Sequence, residues 1–132
     1  MAGNILIVED EKRVRDDIKK TLMKIDLRIT RIYQAANGRE ALELLRKHSI
    51  DLLLTDINMP EMNGLEMLGQ MRSDSNYPEI PIIVISSRRD PELLNAIRNS
   101  GLGFLPKPFS WRDLRKKVLN YKDRFAEYVE EA

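Results

Sequence analysis

The stretch LLLTDINMPEMNG, residues 52–64, decides the fold class of this chain. It opens with three consecutive leucines. A continuous apolar run of this kind is typical of a short strand that is buried on both faces of a sheet. The run ends at a carboxylate, Asp56, and Pro60 and Gly64 then mark a turn away from the strand. The stretch therefore predicts an internal strand that brings a single acidic side chain to the edge of a sheet.

The flanking segments alternate between strand and helix patterns. Short apolar or alternating runs predict strands at residues 5–8, 28–36, 51–56, 82–86 and 103–108. Apolar residues at helical spacing predict helices between them, at residues 12–25, 37–50, 64–72, 90–101 and 110–131. Five strands that alternate with five helices predict a doubly wound α/β fold, with a parallel sheet covered by helices on both faces.

Three helix boundaries have clear sequence signals. Asp90 followed by Pro91 predicts an N-cap and first helical position, and Gly101 predicts the end of that helix. Ser110 and Asp113 predict a capping box at the start of the last helix.

Composition limits the classes of protein that fit. The chain has 132 residues, a net charge of +1 and no cysteine, which favours one domain without disulfides, thiol chemistry or a strong attraction to nucleic acid. No apolar run is long enough to span a bilayer, and the N-terminus lacks the pattern of a secretory signal. We therefore expect a cytoplasmic protein that binds neither membranes nor nucleic acid directly.

Chemically reactive side chains lie at the ends of four of the predicted strands. Glu9 and Asp10 follow the first strand, and Asp56, Ser86 and Lys107 lie at the carboxyl ends of the third, fourth and fifth. Parallel strands put these ends at one edge of the sheet, where ligands of such folds bind. Two charges about 4 Å apart interact by about 4 kcal/mol at an effective dielectric near 20, so protonation, a lysine or a divalent cation must offset the repulsion among the carboxylates. Oxygen ligands without histidine or cysteine favour Mg²⁺, with Mn²⁺ as an alternative.

Each of these residues also has an ordinary structural interpretation. An aspartate at a strand end usually caps a helix or forms a turn, and Glu9 with Asp10 could cap the first helix. Ser86 could be a loop residue and Lys107 a solvated lysine. The functional interpretation depends on the joint occurrence of all of them at four strand ends.

The blocks ILIVEDE, DLLLTDINMPEMNGLEML, PIIVISS and GFLPKPF resemble the motifs of the response-regulator receiver domain, the phospho-acceptor module of two-component signalling. The resemblance covers residues 4–121, nearly the whole chain. It implies a flavodoxin-like, CheY-like (βα)5 fold with strand order 2-1-3-4-5. We expect the receiver domain at residues 1–122. Residues 123–132 are expected to extend the last helix with an apolar stripe at Phe125, Tyr128 and Val129, fraying being the alternative.

The resemblance implies a phosphorylation site. Asp56 would accept a phosphoryl group from a sensor histidine kinase or phosphotransfer protein, as a signalling phospho-acceptor rather than a classical enzyme. Glu9, Asp10, Asp56 and the backbone carbonyl of Asn58 would hold the Mg²⁺. Lys107 would pair with the phosphoryl group, and its bond to Pro108 is expected to be cis.

The resemblance also implies a switch. The Ser86 hydroxyl would move toward the phosphoryl group and Phe104 would rotate in response, while Asn58 and Arg88 would tune the lifetime of the phosphorylated state. Output would run through the fourth helix, fifth strand and fifth helix, from a monomer or weak dimer. That surface carries mostly basic residues and favours an acidic protein partner; it comprises Arg89, Asn95, Arg98, Phe104 and Arg112.

Several alternatives compete with this interpretation. A haloacid-dehalogenase-type phosphatase would have a second aspartate at position 58, which is Asn58, and a flavodoxin would have a Ser/Thr/Gly-rich loop after the first strand, where this chain is acidic. A receiver-like interaction module that works without phosphate would lack the acids or the lysine. The chain could also be a receiver cut from a longer protein with its own output domain.

Overall fold

The computed structural model describes residues 3–25, 29–59, 62, 64–77 and 79–119. Within them, five strands and five helices alternate: β1 (Gly3–Val8), α1 (Lys12–Met23), β2 (Ile29–Ala35), α2 (Gly38–Lys47), β3 (Leu52–Thr55), α3 (Gly64–Ser73), β4 (Ile82–Ser86), α4 (Pro91–Asn99), β5 (Gly103–Pro106) and α5 (Trp111–Leu119). The expected extension at residues 123–132 and the predicted turn at Pro60 lie outside the described residues.

The strands form one parallel sheet in the order β2-β1-β3-β4-β5. This confirms the expected fold and strand order. Because β1, β3 and β4 are internal, their described residues are buried almost throughout, whereas β2 at the edge is half exposed.

Alternate residues of β3 pack on opposite faces of the sheet. Leu52 and Leu54 belong to the core beneath α1 and α5, and Leu53 belongs to the core beneath α2 and α3. All three leucines are fully buried. Because β3 is buried on both faces, its sequence is a continuous apolar run. The same burial fixes the position of Asp56 at the end of the strand.

The helices bury mostly the faces that the sequence predicts. In α3, however, Leu65 is 44% exposed, while Met67, Leu68 and Met71 are buried. Ile25 is buried as expected but lies beyond the end of α1 at Met23. None of the described helices has the length and apolar character needed to cross a membrane.

The predicted helix caps are confirmed. The Asp90 carboxylate accepts the backbone N–H of Leu93 at 3.2 Å, and Gly101 adopts a φ of 69° after the end of α4. Ser110 and Asp113 cap α5 reciprocally, with hydrogen bonds of 3.0 and 3.1 Å.

Candidate functional site

The end of β3 presents the side chain of Asp56 at the carboxyl edge of the sheet. Its backbone N–H still donates to the Val8 carbonyl of β1 at 2.9 Å, so the strand holds this residue. The chain then turns back, and the N–H of Gly64 donates to the Ile57 carbonyl at 2.8 Å. A Cβ at Gly64 would overlap the carbonyl oxygen of Asp56, so only glycine allows α3 to begin this close to the acid.

The end of β1 delivers two more acids to the same edge. The N–H of Glu9 donates to the Ala35 carbonyl of β2 at 3.0 Å, which extends the strand pairing by one residue. The Glu9 residue is only 2% exposed, and its Oε2 atom accepts the backbone N–H of Glu11 at 3.1 Å. Asp10, in contrast, is exposed. The two neighbouring acids therefore differ sharply in their contact with water.

The three carboxylates meet in space. Glu9, Asp10 and Asp56 each offer an oxygen atom, and these atoms all lie within 4.8 Å of one another. Such a set of oxygen donors fits a hard divalent cation such as Mg²⁺. Asn58 follows in the exposed loop after Asp56, and the part of its carbonyl in holding an ion stays a prediction.

Lys107 joins this acidic group from β5. Its ammonium donates to Glu9 Oε1 at 2.8 Å and to Asp56 Oδ2 at 3.1 Å. The backbone N–H of Lys107 donates to the Ser86 carbonyl at 3.0 Å, which continues the β4–β5 pairing past the last strand residue. The Lys107–Pro108 peptide bond is cis, the isomer expected from the sequence.

The electrostatics of the site follow from burial and proximity. Burial, together with a hydrogen bond to Asp10, raises the pKa of Glu9 from 4.5 to about 7, although the hydrogen bond from Lys107 opposes this rise. For Lys107, burial lowers the pKa, but the hydrogen bond to Glu9 and the charge of Asp56 outweigh it, so its pKa is raised overall. Lys107 is therefore fully charged at neutral pH, and the Glu9 carboxyl holds a proton in part of the molecules.

Ser86 is the last residue of β4, and Arg88 follows it in the loop before α4. Ser86 is 1% exposed, and its hydroxyl oxygen accepts the backbone N–H of Arg88 at 3.1 Å. The Arg88 guanidinium pairs with Asp90 through contacts of 3.0 and 3.2 Å. The structure thus places the Arg88 side chain on the N-cap of α4, a partner that the sequence analysis did not foresee.

Phe104 lies on β5, next to β4. It pairs with Val84 across the β4–β5 ladder and is half buried. Its ring packs against a small apolar cluster formed with α4, which comprises Ile57, Val84, Leu93 and Ile97. The expected switch residue therefore contacts the underside of α4 and the residue that follows Asp56.

Two further polar contacts were not predicted from the sequence. The buried Thr55 hydroxyl donates to the Asp56 carbonyl at 2.8 Å. Arg15 Nη1, on α1, donates to the Glu9 carbonyl at 2.6 Å. Thr55 could have been found from the sequence, because it is a polar residue at the last position of an apolar strand. Nothing in the sequence distinguishes Arg15 from the other charged residues of α1.

The chain matches characterised proteins along nearly its whole length. The model of the response regulator receiver domain matches residues 5–119. Chemotaxis protein CheY1 of Helicobacter pylori is 36% identical over 116 residues, which cover 86% of this chain and 92% of that protein. Chemotaxis protein CheY of Pseudomonas aeruginosa is 34% identical over 116 residues, 86% of this chain and 91% of that protein.

Solved structures agree with this match. The structure of chemotaxis protein CheY4 of Vibrio cholerae superimposes with a TM-score of 0.79 at 30% identity, covering 91% of this chain and 98% of that one. A receiver domain protein (CheY-like) from Methanospirillum hungatei gives a TM-score of 0.80 at 26% identity, covering 96% and 98% of the two chains.

Proposed function

Because this chain belongs to the response regulator receiver domain family of two-component signalling, we propose that it accepts a phosphoryl group on Asp56 in a Mg²⁺-dependent reaction. The donor is a phosphohistidine of a sensor histidine kinase or of a phosphotransfer protein. The observation that carries this proposal is the arrangement of Asp56, whose carboxylate lies at the open edge of the sheet between two other acids and the Lys107 ammonium.

The chemistry requires no general base, since a carboxylate is already a nucleophile when it is ionised. An Asp56 oxygen forms a bond to phosphorus, the phosphorus–nitrogen bond of the donor breaks, and the imidazole leaves with the electron pair. The product is an acyl phosphate on Asp56. The backbone N–H of Ile57 donates to Asp56 Oδ1 at 2.6 Å and orients the carboxylate before the reaction.

Negative charge spreads over the phosphoryl oxygens during the transfer and has to be balanced. Glu9, Asp10 and Asp56 would hold the Mg²⁺, which supplies positive charge next to these oxygens when it is bound. Lys107 supplies a second positive charge, because its ammonium already lies 3.1 Å from Asp56 Oδ2. Ser86 can then donate its hydroxyl hydrogen to a phosphoryl oxygen after a small inward movement.

Signalling to a protein partner depends on the contact between the switch residues and α4. When the Ser86 hydroxyl moves toward the phosphoryl group, space opens beside Phe104, which already packs against the cluster beneath α4. Phe104 has no hydroxyl, so its further burial leaves no polar atom without a partner. The phosphorylated form then gains contacts that favour one conformation of the surface formed by α4, β5 and α5. A protein partner binds this conformation.

Intact-mass measurement tests the proposed acceptor. The protein is incubated with acetyl phosphate and Mg²⁺, and one phosphoryl adduct is expected. Asp56→Asn should abolish the adduct, and chelation of Mg²⁺ should suppress it. Glu43→Gln, at an exposed position of α2, is the matched control and should leave it unchanged. An adduct of equal yield in the Asp56→Asn variant would overturn the assignment.

A further inference from the structure

We propose that Arg15 is a positioning residue for the Mg²⁺ site, which holds the turn that carries Glu9 and Asp10 through its backbone carbonyls. The inference rests on the proposed function, because it concerns the ion that the phosphorylation reaction requires. It assigns a role in that reaction to a residue of α1 that contributes no ligand atom.

The contacts of Arg15 lie on the backbone of the acidic turn. Its Nη1 atom donates to the Glu9 carbonyl at 2.6 Å and makes a longer contact of 3.4 Å with the Asp10 carbonyl. Side chains of a helix point toward its N-terminus, so an arginine in the first turn of α1 reaches back over this loop. Both contacts are to carbonyl oxygens, so the guanidinium itself does not occupy the carboxylate oxygens of Glu9 and Asp10.

The start of α1 lacks the side-chain N-cap hydrogen bond that α2 and α4 have, although Glu9 Oε2 accepts the backbone N–H of Glu11. Glu11 occupies the N-cap of α1 without a side-chain cap bond, and the first turn of α1 contains no acidic residue. By contrast, Asn37 caps α2 and Asp90 caps α4 through side-chain bonds to backbone N–H groups. Arg15 therefore supplies from within the helix a restraint that a capping side chain supplies elsewhere.

The burial of Arg15 supports a restrained side chain. Its Nε atom is buried and has no hydrogen-bond partner among the described residues. A buried donor without a partner costs free energy, which a solvent-facing arrangement of the same side chain would avoid. The bonds to the acidic turn must outweigh this cost, so the guanidinium is held where it contacts Glu9 and Asp10.

The positive charge of Arg15 and its contacts with the carbonyl groups have opposite effects on the affinity for Mg²⁺. A nearby positive charge repels the ion, so removal of the charge alone would strengthen binding. Loss of the carbonyl contacts would let the turn move and would weaken binding, as loss of an outer partner of metal ligands does in other sites. Lysine retains the charge but cannot reproduce the planar guanidinium contacts. A pair of variants, Arg15→Lys and Arg15→Gln, therefore separates the two effects.

Calorimetric titration with Mg²⁺ alone tests the proposal on the full chain. We expect both Arg15→Lys and Arg15→Gln to weaken Mg²⁺ binding by about 10-fold, the range typical for outer partners of metal ligands. Arg13→Gln, an exposed position on the same helix, is the matched control for loss of charge and should bind like the unmodified protein. Thermal denaturation of each variant shows whether it is folded.

Three results would overturn the positioning role. One is Arg15→Lys binding like the unmodified protein while Arg15→Gln binds more tightly, which would show an effect of charge only. Another is lower thermal stability with unchanged Mg²⁺ affinity, which would show a purely structural role. If the variants do not fold, NMR of the Arg15 guanidinium in the unmodified, Mg²⁺-loaded protein measures whether the side chain is held. Free rotation of the guanidinium would refute the proposal. An unmodified protein that binds no Mg²⁺ would refute the proposed function itself.

Discussion

The Lys107 ammonium lies 2.8 Å from Oε1 of Glu9, a residue 98 positions earlier in the chain. The same ammonium reaches Asp56 at 3.1 Å, so one lysine balances two carboxylates that come from two other strands. Glu9 is almost completely buried, and a buried charge is tolerated only when it is paired. Lys107 therefore balances part of the negative charge of these two carboxylates.

Stability of the metal-free protein should fall as pH rises toward 7. The folded-state pKa of Glu9, about 7, lies above its ordinary value of 4.5, so the folded state binds the proton more tightly than the unfolded state does. Its stabilising contribution is fully present below pH 4.5 and is lost as pH rises through about 7. The free energy of unfolding should fall by an amount of the order of 3 kcal/mol, because each pKa unit of difference between the two states corresponds to about 1.4 kcal/mol.

Urea unfolding of the protein and of Glu9→Gln across this pH range measures the effect. The variant keeps the shape of the side chain but cannot ionise, so the decline between acidic and neutral pH should be smaller in it. Mg²⁺ should bind more tightly as pH rises, because the ion and the proton compete for Glu9. Equal slopes for the two proteins would show that Glu9 does not titrate in this range.

Removal of the Lys107 charge should destabilise the metal-free protein. Lys107→Met leaves the buried Glu9 without its cation, and we expect the free energy of unfolding to fall by about 2 kcal/mol, less than for a fully buried pair because Lys107 is 25% exposed. Mg²⁺ should then stabilise this variant more than it stabilises the unmodified protein. Chemical denaturation with and without Mg²⁺ measures both effects.

The pair between Lys12 and Asp16 provides the control for Lys107. Its nitrogen–oxygen distance is 2.9 Å, close to that of the Lys107–Glu9 pair, but the lysine side chain is 80% exposed. Lys12→Met should therefore change stability much less than Lys107→Met does, as expected for a surface pair screened by water. If the two methionine variants lost equal stability, burial would not be the cause.

Arg88 should affect the lifetime of the phosphorylated state. Its guanidinium is held by Asp90 in the structure, so it reaches a phosphoryl group only by leaving that partner. We expect Arg88→Ala to change the rate of autodephosphorylation severalfold. Asp90→Asn retains a capping side chain for α4 but releases Arg88, and should change the rate in the opposite direction. Unchanged decay in both variants, followed by mass spectrometry, would show that Arg88 remains away from the site.

Phosphorylation should change the environment of α4 and β5. Beryllofluoride, a phosphoryl mimic, is added with Mg²⁺, and backbone amide NMR shifts are compared before and after. Changes are expected at residues 90–105, because the proposed movement of Ser86 would open space beside Phe104, which packs against the cluster beneath α4. The edge strand β2 serves as the internal control and should change little. Shifts confined to the acidic pocket would contradict this coupling, and Phe104→Ala should reduce the distant shifts.

The sequence alone predicted the features that depend on local chemistry. Helix and strand periodicity placed all ten elements, and the caps at Asp90 and Ser110 followed from residue types whose side chains bond to nearby backbone. The gathering of Glu9, Asp10, Asp56 and Lys107 at one edge followed from a parallel sheet. The strand order itself came from the family resemblance, because periodicity specifies which residues are buried but not which strand lies beside which.

Only the tertiary structure decided the contacts between side chains from distant parts of the chain. The pairing of Lys107 with both Glu9 and Asp56 joins residues 98 and 51 positions apart, and no local pattern encodes those distances. The same holds for the burial of Glu9, which raises its pKa while Asp10 beside it stays exposed. Burial is set by how β2 and β3 flank the end of β1, and it is burial that turns one of two adjacent acids into a proton-binding group near neutral pH.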